Sequence, residues 1–421
     1  GAFSERLAGR PLTWLMQPTL DPAVWLGLFD TVAATLQKTR KPVRDMPMRH
    51  VVAGPPPPVR SRAHRRGPVD LRRSGTTSAL VIPEAYDDEA NWTPCAHIRL
   101  LRPLHHPVTG HGLATSITDA DGASRYHADV VITQRHAVSS IAAAEALVDH
   151  ARRTDAALVF DIDDDLLTIP PEHPEAAELT SKAAVVEYLV RRADIVRTST
   201  AALAARIAPL ARRVQVAPNA LDERIWLPEL RERANRYDGV RILCMGTMTH
   251  DADFALLLPA LTEIHSRFGD QIQFDLIGFV TDTTVPTWIR RLAPTPHAGR
   301  SYAGFVHWLR SSGPWDIGLA PLAETPFNAC KSAIKVLDYA ALGLASVASD
   351  VAAYRGSLAD GPGGILLPNT TDAWYEALSR LIRDAAWRHQ LAAGGAAQLL
   401  ASRTLERQAD AWPDVMRRKL G

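Results

Sequence analysis

The chain has 421 residues, of which 46% are apolar and 22% charged, the balance of a folded protein rather than a disordered one. At roughly 150 residues per domain, that length predicts two to three domains. Lysine and arginine number 47 against 46 aspartates and glutamates, so a net charge of +1 sets up no overall field to recruit nucleic acid. No apolar run reaches the roughly eighteen residues a spanning helix needs. Three dispersed cysteines, Cys95, Cys244 and Cys330, exclude a disulfide framework and a thiolate zinc site, and they point to a reducing cytoplasm. The first residue is Gly rather than Met, which suggests a tag scar or a fragment cut from a longer, multidomain chain.

Residues 1–53 read as a helical extension. Asp21-Pro22 is a helix start, and Val24, Trp25, Leu28, Phe29, Val32 and Leu36 fall on one face after it. Residues 54–77 form a linker in which four consecutive prolines, Pro55 to Pro58, precede Arg60, Arg62, Arg65, Arg66, Arg72 and Arg73. This arginine strip is either a solvated connection or a surface for anionic lipid or a phosphorylated acceptor, so the stretch 60–73 is a candidate peripheral membrane contact.

From Ser78 onward short apolar runs alternate with amphipathic stretches. Strands are expected at 79–82, 128–133, 156–160, 195–198 and 214–217, with helices at 141–152 and 183–192 between them. The second half repeats the texture, with strands at 242–245, 273–277, 317–320 and 346–348 and helices at 255–268 and 332–342. The expected class is α/β: two doubly wound, Rossmann-like domains over 78–229 and 230–395, each a parallel sheet covered on both faces. A helical tail, 396–421, follows, with breaks expected near Gly394-Gly395 and at Pro413.

Ligands bind beyond the carboxyl ends of such strands. Asp161, Asp163, Asp164 and Asp165 follow one of them, four carboxylates within five residues. They serve as solvated helix caps, as a metal site through Asp161-x-Asp163, or as a cleft that orients an acceptor hydroxyl. Gln134-Arg135-His136 ends another strand, and His136 is a candidate general base, a group that holds a developing charge, or an ordinary surface histidine. Cys244 to Asp251 carries Gly246, Thr247, Thr249 and His250 at a strand-to-helix junction, where a glycine and free amides favour a phosphate. It is neither a GxGxxG nor a Walker loop, so nicotinamide and P-loop chemistry lack support. The stretch from Trp315 to Asp350 places Asn328 in a loop and Lys331, Ser332, Lys335 and Asp338 on the helix after it. The lysines supply charge for a diphosphate, and Asp338 supplies an acceptor for a ribose diol.

Asp338-Tyr339-Ala340-Ala341-Leu342-Gly343-Leu344-Ala345 resembles the carboxylate-led run of the GT-B glycosyltransferases, in particular the family-4 retaining enzymes. Pro218-Asn219-Ala220-Leu221-Asp222 is similar to the segment joining their two domains, Gly246-Thr247 to the loop opening the second, and Phe160 to Asp164 to a variant subgroup linked to bacterial surface-polysaccharide assembly. The resemblance covers about residues 78–400. It implies transfer of a sugar, with retention, from a nucleotide sugar held by the second domain to a glycan or lipid-linked acceptor held by the first, in the cytoplasm or at the inner membrane face. It implies no metal and no cofactor.

In that scheme Lys331 and Lys335 hold the leaving diphosphate beside Gly246, Thr247, Thr249, His250, Asn328 and Ser332, and Asp338 holds the ribose. Arg135 or His136 contacts the transferred sugar or the phosphate, and Asp161, Asp163 and Asp164 orient the acceptor. The chain departs from the pattern at Cys330, where the first glutamate of the family pair stands, and at Thr247 and Ala252, where an arginine and a lysine grip the phosphates. Those departures also motivate a non-catalytic sugar-nucleotide-binding module of a larger assembly protein. Asp161-x-Asp163 motivates a metal-dependent transferase, and the fold admits an epimerase.

Overall fold

A computed structural model describes residues 68–86, 91–227, 237–281 and 285–408, all within one compact unit. The helical extension expected over 1–53, most of the linker and the break at Pro413 lie outside these residues.

The first half forms one six-stranded parallel sheet from β1 (Thr77–Ile82), β2 (Leu113–Ile117), β3 (Val130–Gln134), β4 (Ala157–Ile162), β5 (Ile195–Thr198) and β6 (Val214–Val216), in spatial order β2-β1-β3-β4-β5-β6. The second half forms another from β7 (Val240–Gly246), β8 (Ile272–Gly278), β9 (Ile289–Leu292), β10 (Ile317–Ala320), β11 (Ala345–Ser349) and β12 (Gly364–Leu367), in order β9-β8-β7-β10-β11-β12. Every pairing in both sheets is parallel. The interior strands are apolar on both faces because helices cover both, and each sheet is sandwiched between two apolar clusters.

The covering helices have local reasons to start where they do. A helical run over 94–104 (α1) begins at Thr93, whose hydroxyl accepts the Ala96 amide, with Pro94 in the first turn. Ser140 caps α2 (Ile141–Arg153) and Thr200 caps α4 (Ala201–Ile207) in the same way, with α3 (Ala176–Arg192) between them. In the second half come α5 (Asp251–Phe268), α6 (Tyr302–Ser312), α7 (Ile334–Ala341), α8 (Thr371–Arg383) and α9 (Ala385–Ser402).

Both strand orders contain a reversal, between β1 and β3 in the first sheet and between β7 and β10 in the second. The loops beyond those four strands are where a doubly wound fold opens a crevice.

Three differences from the sequence reading have physical causes. Strand β4 runs two residues beyond the expected end at 160, because Asp161 pairs in register with Gln134 of β3. Asp161 therefore belongs to the sheet, not to the loop after it. Helix α7 starts at Ile334 with no side-chain cap, so Lys331 and Ser332 precede the helix rather than lying on it. Helix α9 passes unbroken through Gly394 and Gly395, which let its backbone press on the Pro362-Gly363 turn; a Cβ at Gly394 would sit 2.1 Å from the Pro362 carbonyl oxygen.

Candidate active site

On the first-domain side the loops beyond β1, β3 and β4 converge on Arg135. Its Nη1 donates to Asp163 Oδ1 at 2.5 Å and Asp164 Oδ2 at 3.0 Å, and its Nε to Glu84 Oε2 at 3.2 Å. Three carboxylates surround this guanidinium, so Arg135 organises the acidic loop rather than standing free for a phosphate. Its backbone sits at φ +41°, a left-handed conformation that costs an arginine strain and recurs at functional sites. Beside it His136 is half-buried with Nε2 meeting no donor or acceptor, and burial, helped by Arg135 and Lys182, lowers its pKa to about 4. At neutral pH His136 is an uncharged imidazole.

Asp164 faces the second domain, with Oδ1 3.6 Å from Lys331 Nζ. Burial alone would raise its carboxyl, but Lys331 and Arg135 together hold it well below the usual carboxylate range. Asp163 stays with Arg135, and its carbonyl accepts the Ser199 hydroxyl at 3.0 Å.

Asp161, expected at the cleft, is instead 0% exposed. Its carboxylate accepts Arg99 Nε at 3.0 Å and Nη2 at 2.9 Å, and Arg197 Nη1 at 3.0 Å. Enclosed by two guanidiniums, it is not disposed to share a divalent cation with Asp163. Among the described residues the one grouping with metal-ligand geometry is His106, Asp222 and Glu223, away from this loop, and there Asp222 is already chelated by Arg224.

On the second-domain side Lys331 lies 4.7 Å from the Phe327 ring centre. Lys335, on α7, points elsewhere: its Nζ is 2.9 Å from His250 Nε2. Burial and then Lys331 lower the Lys335 pKa to about 8. The two lysines thus meet different partners within one cleft rather than forming a single helical stripe. Asp338, one turn further, has its Oδ1 buried without a hydrogen-bond donor, and burial, only partly offset by Lys335, pushes its carboxyl well above the usual range. A ligand diol reaching Oδ1 would relieve that cost.

Gly246 is required by its neighbours, since a Cβ there would fall 2.9 Å from Phe279 Cδ2 and 3.0 Å from Lys335 Cε. Thr247 is exposed and shares a 3.1 Å contact with the Thr249 hydroxyl. Asn328 closes its own turn, its Nδ2 donating to the Ala323 carbonyl at 2.9 Å. Ser332 accepts Asn219 Nδ2 at 2.8 Å, which ties the lysine segment to the interdomain connection. Cys330 is buried within the first domain's apolar cluster, and its carbonyl accepts the Thr200 hydroxyl at 2.8 Å. In this chain the position is a packing contact between the domains.

The sequence reading missed Glu84, Arg99, Asp253 and Phe279. Asp253 was within reach, because His250 and Asp253 stand three apart at a helix start. Glu84 and Arg99 join the site only through the sheet order, which no local pattern encodes.

This geometry, two facing parallel sheets with a charged crevice beyond their carboxyl ends, is the GT-B architecture. It is shared with a sucrose-phosphate synthase from Thermosynechococcus elongatus, at 13% identity and a TM-score of 0.60 over 82% of this chain and 99% of that one. HepE from Anabaena, solved in complex with UDP and glucose, aligns at 12% identity and a TM-score of 0.53 over 82% and 99%. A glycosyltransferase from Rickettsia africae aligns at 10% identity and 0.53 over 83% and 99%. No curated protein matches the sequence. The chain thus has the GT-B fold found in glycosyltransferases. Its second half, residues 239–384, matches the family model described as Glycosyl transferases group 1.

Proposed function

We propose that the protein moves a sugar from a nucleoside-diphosphate sugar, bound by the second domain, to a hydroxyl of a glycan or lipid-linked acceptor bound by the first. The observation that carries this reading is the pairing across the cleft of Lys331 with Asp164, which brings the second domain's cations within reach of the first domain's carboxylates. The hard step is departure of the diphosphate while the sugar carbon gains positive charge. Lys331 and Lys335 stabilise the leaving phosphates, supplying without a metal ion the charge a divalent cation supplies in other transferases. Asp338 accepts the ribose hydroxyls. Asp163 and Asp164 sit where the acceptor hydroxyl and the developing cation need negative charge. As the acceptor oxygen bonds to the sugar carbon, its proton passes either to the departing phosphate oxygen or to the open Nε2 of His136.

The family-4 resemblance supports retention of configuration, and the resemblance of Phe160 to Asp164 to a variant subgroup supports a role in bacterial surface-polysaccharide assembly. HepE, with UDP and glucose bound, supports a nucleotide sugar as the donor class. No helix among the described residues is long and apolar enough to cross a membrane. The arginines of the strip 60–73 would meet a lipid-linked acceptor at an anionic surface.

The test is a thermal-shift screen against nucleotide sugars, followed by calorimetry on Lys331→Ala with the donor that stabilises the protein. Removing a charged partner worth about 1.5–3 kcal/mol predicts a loss of roughly 10- to 150-fold in affinity. No stabilisation by any nucleotide sugar, or unchanged affinity in the variant, would refute the reading.

A further inference from the structure

Between Thr247 and Ala252 the loop after β7 holds one basic side chain, His250, so on the donor reading a charge beside this loop has to come from elsewhere. Lys335 reaches it from α7. Its stem crosses Gly246, at a separation that a Cβ would reduce to 3.0 Å, and its Nζ stops 2.9 Å from His250 Nε2. On the other side of the ring, His250 Nδ1 is 2.6 Å from Asp253 Oδ2. Asp253 is itself fixed, since its Oδ1 accepts the Ala323 amide from the loop after β10 at 2.6 Å.

The imidazole lies nearly flat on Phe279, with centres 4.9 Å apart and planes 18° apart, and the Lys335 Nζ is 5.7 Å from the same ring. Two consecutive left-handed residues, Gly278 at φ +60° and Phe279 at φ +72°, place that ring, and the Phe279 carbonyl accepts the His250 amide at 2.9 Å. A strained backbone at a non-glycine residue persists only where its surroundings over-determine it.

The chemistry of this chain is directional. A carboxylate only accepts, so His250 Nδ1 carries the hydrogen and Nε2 presents a lone pair. Burial, then Lys335, lowers the His250 pKa to about 4, so the ring stays neutral. Lys335 donates one N–H to that lone pair and keeps two for a ligand. A carboxylate touching Lys335 would anchor it equally well but would cancel its charge; a neutral imidazole anchors it and leaves the charge intact.

We propose that His250 and Asp253 are positioning residues, which hold the Lys335 ammonium uncancelled at the donor's diphosphate and so replace a cation on the loop after β7. The proposal rests on the donor reading above. The groups facing Lys335 are His250 and Cys244 from the β7 side, the Phe279 ring from the loop after β8, Asp253 from α5, and Lys331 and Asp338 from its own segment. Because the bound ammonium is lost as pH rises through about 8, diphosphate affinity falls on the alkaline side.

Calorimetry with UDP, GDP, dTDP and ADP selects the diphosphate that the wild type binds, and the corresponding free nucleoside serves as control. His250→Ala is expected to lose about tenfold in diphosphate affinity at neutral pH while nucleoside affinity is unchanged. Its alkaline fall in affinity shifts to lower pH, because the ammonium has lost an acceptor. His250→Gln, whose amide oxygen restores an acceptor, should stay within about threefold of wild type. Equal affinity of His250→Ala and wild type overturns the proposal, as does a His250→Gln loss as large as that of alanine, or a loss shared by the free nucleoside. If Lys331→Ala weakens the diphosphate and His250→Ala does not, the positioning role fails while the donor reading stands; if wild type binds no diphosphate, both fall.

Discussion

Asp161→Asn separates a structural carboxylate from a chemical one. The substitution keeps shape and removes one charge from a site that is 0% exposed and holds the guanidiniums of Arg99 and Arg197 through three hydrogen bonds of 2.9 to 3.0 Å. Removing one partner of a buried ion pair costs about 3–5 kcal/mol, because the remaining charge stays buried, and whole-domain stabilities are only about 5–15 kcal/mol. At about 2–4 °C per kcal/mol for a domain of this size, the thermal transition should fall by roughly 6–20 °C. Asp163→Asn is the control. Arg135 keeps Glu84 and Asp164 after that change, so the expected cost is about 1 kcal/mol, or a few degrees. Circular-dichroism melts of both variants, with donor turnover measured below the lower transition, decide the matter. An Asp161→Asn protein that melts within about 2 °C of wild type yet has lost turnover would refute the structural assignment and return Asp161 to the chemistry.

Stability should decline as pH falls from 7 toward 4. His97, His136 and His250 each have a folded pKa of about 4 against 6.5 for the free side chain, burial being the largest cause in each. Between those values the unfolded chain takes up protons that the native state refuses, so the stability these neutral imidazoles contribute is present above about 6.5 and drains away below it. Asp164, held low by Lys331 and Arg135, adds a loss of the same sign at still lower pH. Urea midpoints at pH 7 and 5 test this, and equal midpoints would contradict it. Gly394→Ala should destabilise by about 1–3 kcal/mol although alanine is the better helix former, because its Cβ would stand 2.1 Å from a backbone oxygen; a raised melting temperature would refute the close-approach explanation.

Much of the fold was legible because buried parallel strands announce themselves as unbroken apolar runs. The strands Ile195–Thr198 and Ile317–Ala320 stand at the expected bounds. The edge strands Leu113–Ile117 and Ile289–Leu292 went unread, being only partly buried and, in the second case, half arginine. The site was legible as a set of loops but not as a set of partners. Lys331, Asp163 and Asp164 do stand at the carboxyl ends of their sheets, as the alternating pattern implied. Which carboxylate meets which cation depended on where a strand ends, and a shift of two residues in β4 was enough to move Asp161 from cleft to core.

That shift gives the acidic motif two jobs on different residues. Asp161 binds Arg99, whose Nη1 also reaches Asn219 Oδ1 at 2.9 Å, and Asn219 in turn donates to Ser332, next to Lys331. Asp164, three residues on, meets Lys331 directly. The same short run therefore bears on Lys331 twice, once through a relay that ends at the neighbouring Ser332 and once directly through Asp164. A lysine anchored only by Asp164 would swing with the side chain, and one placed only by the relay would face no opposing charge. On the proposed donor reading, any closure of the cleft has to satisfy both contacts together, so the geometry of the loop after β4 is coupled to the position of Lys331.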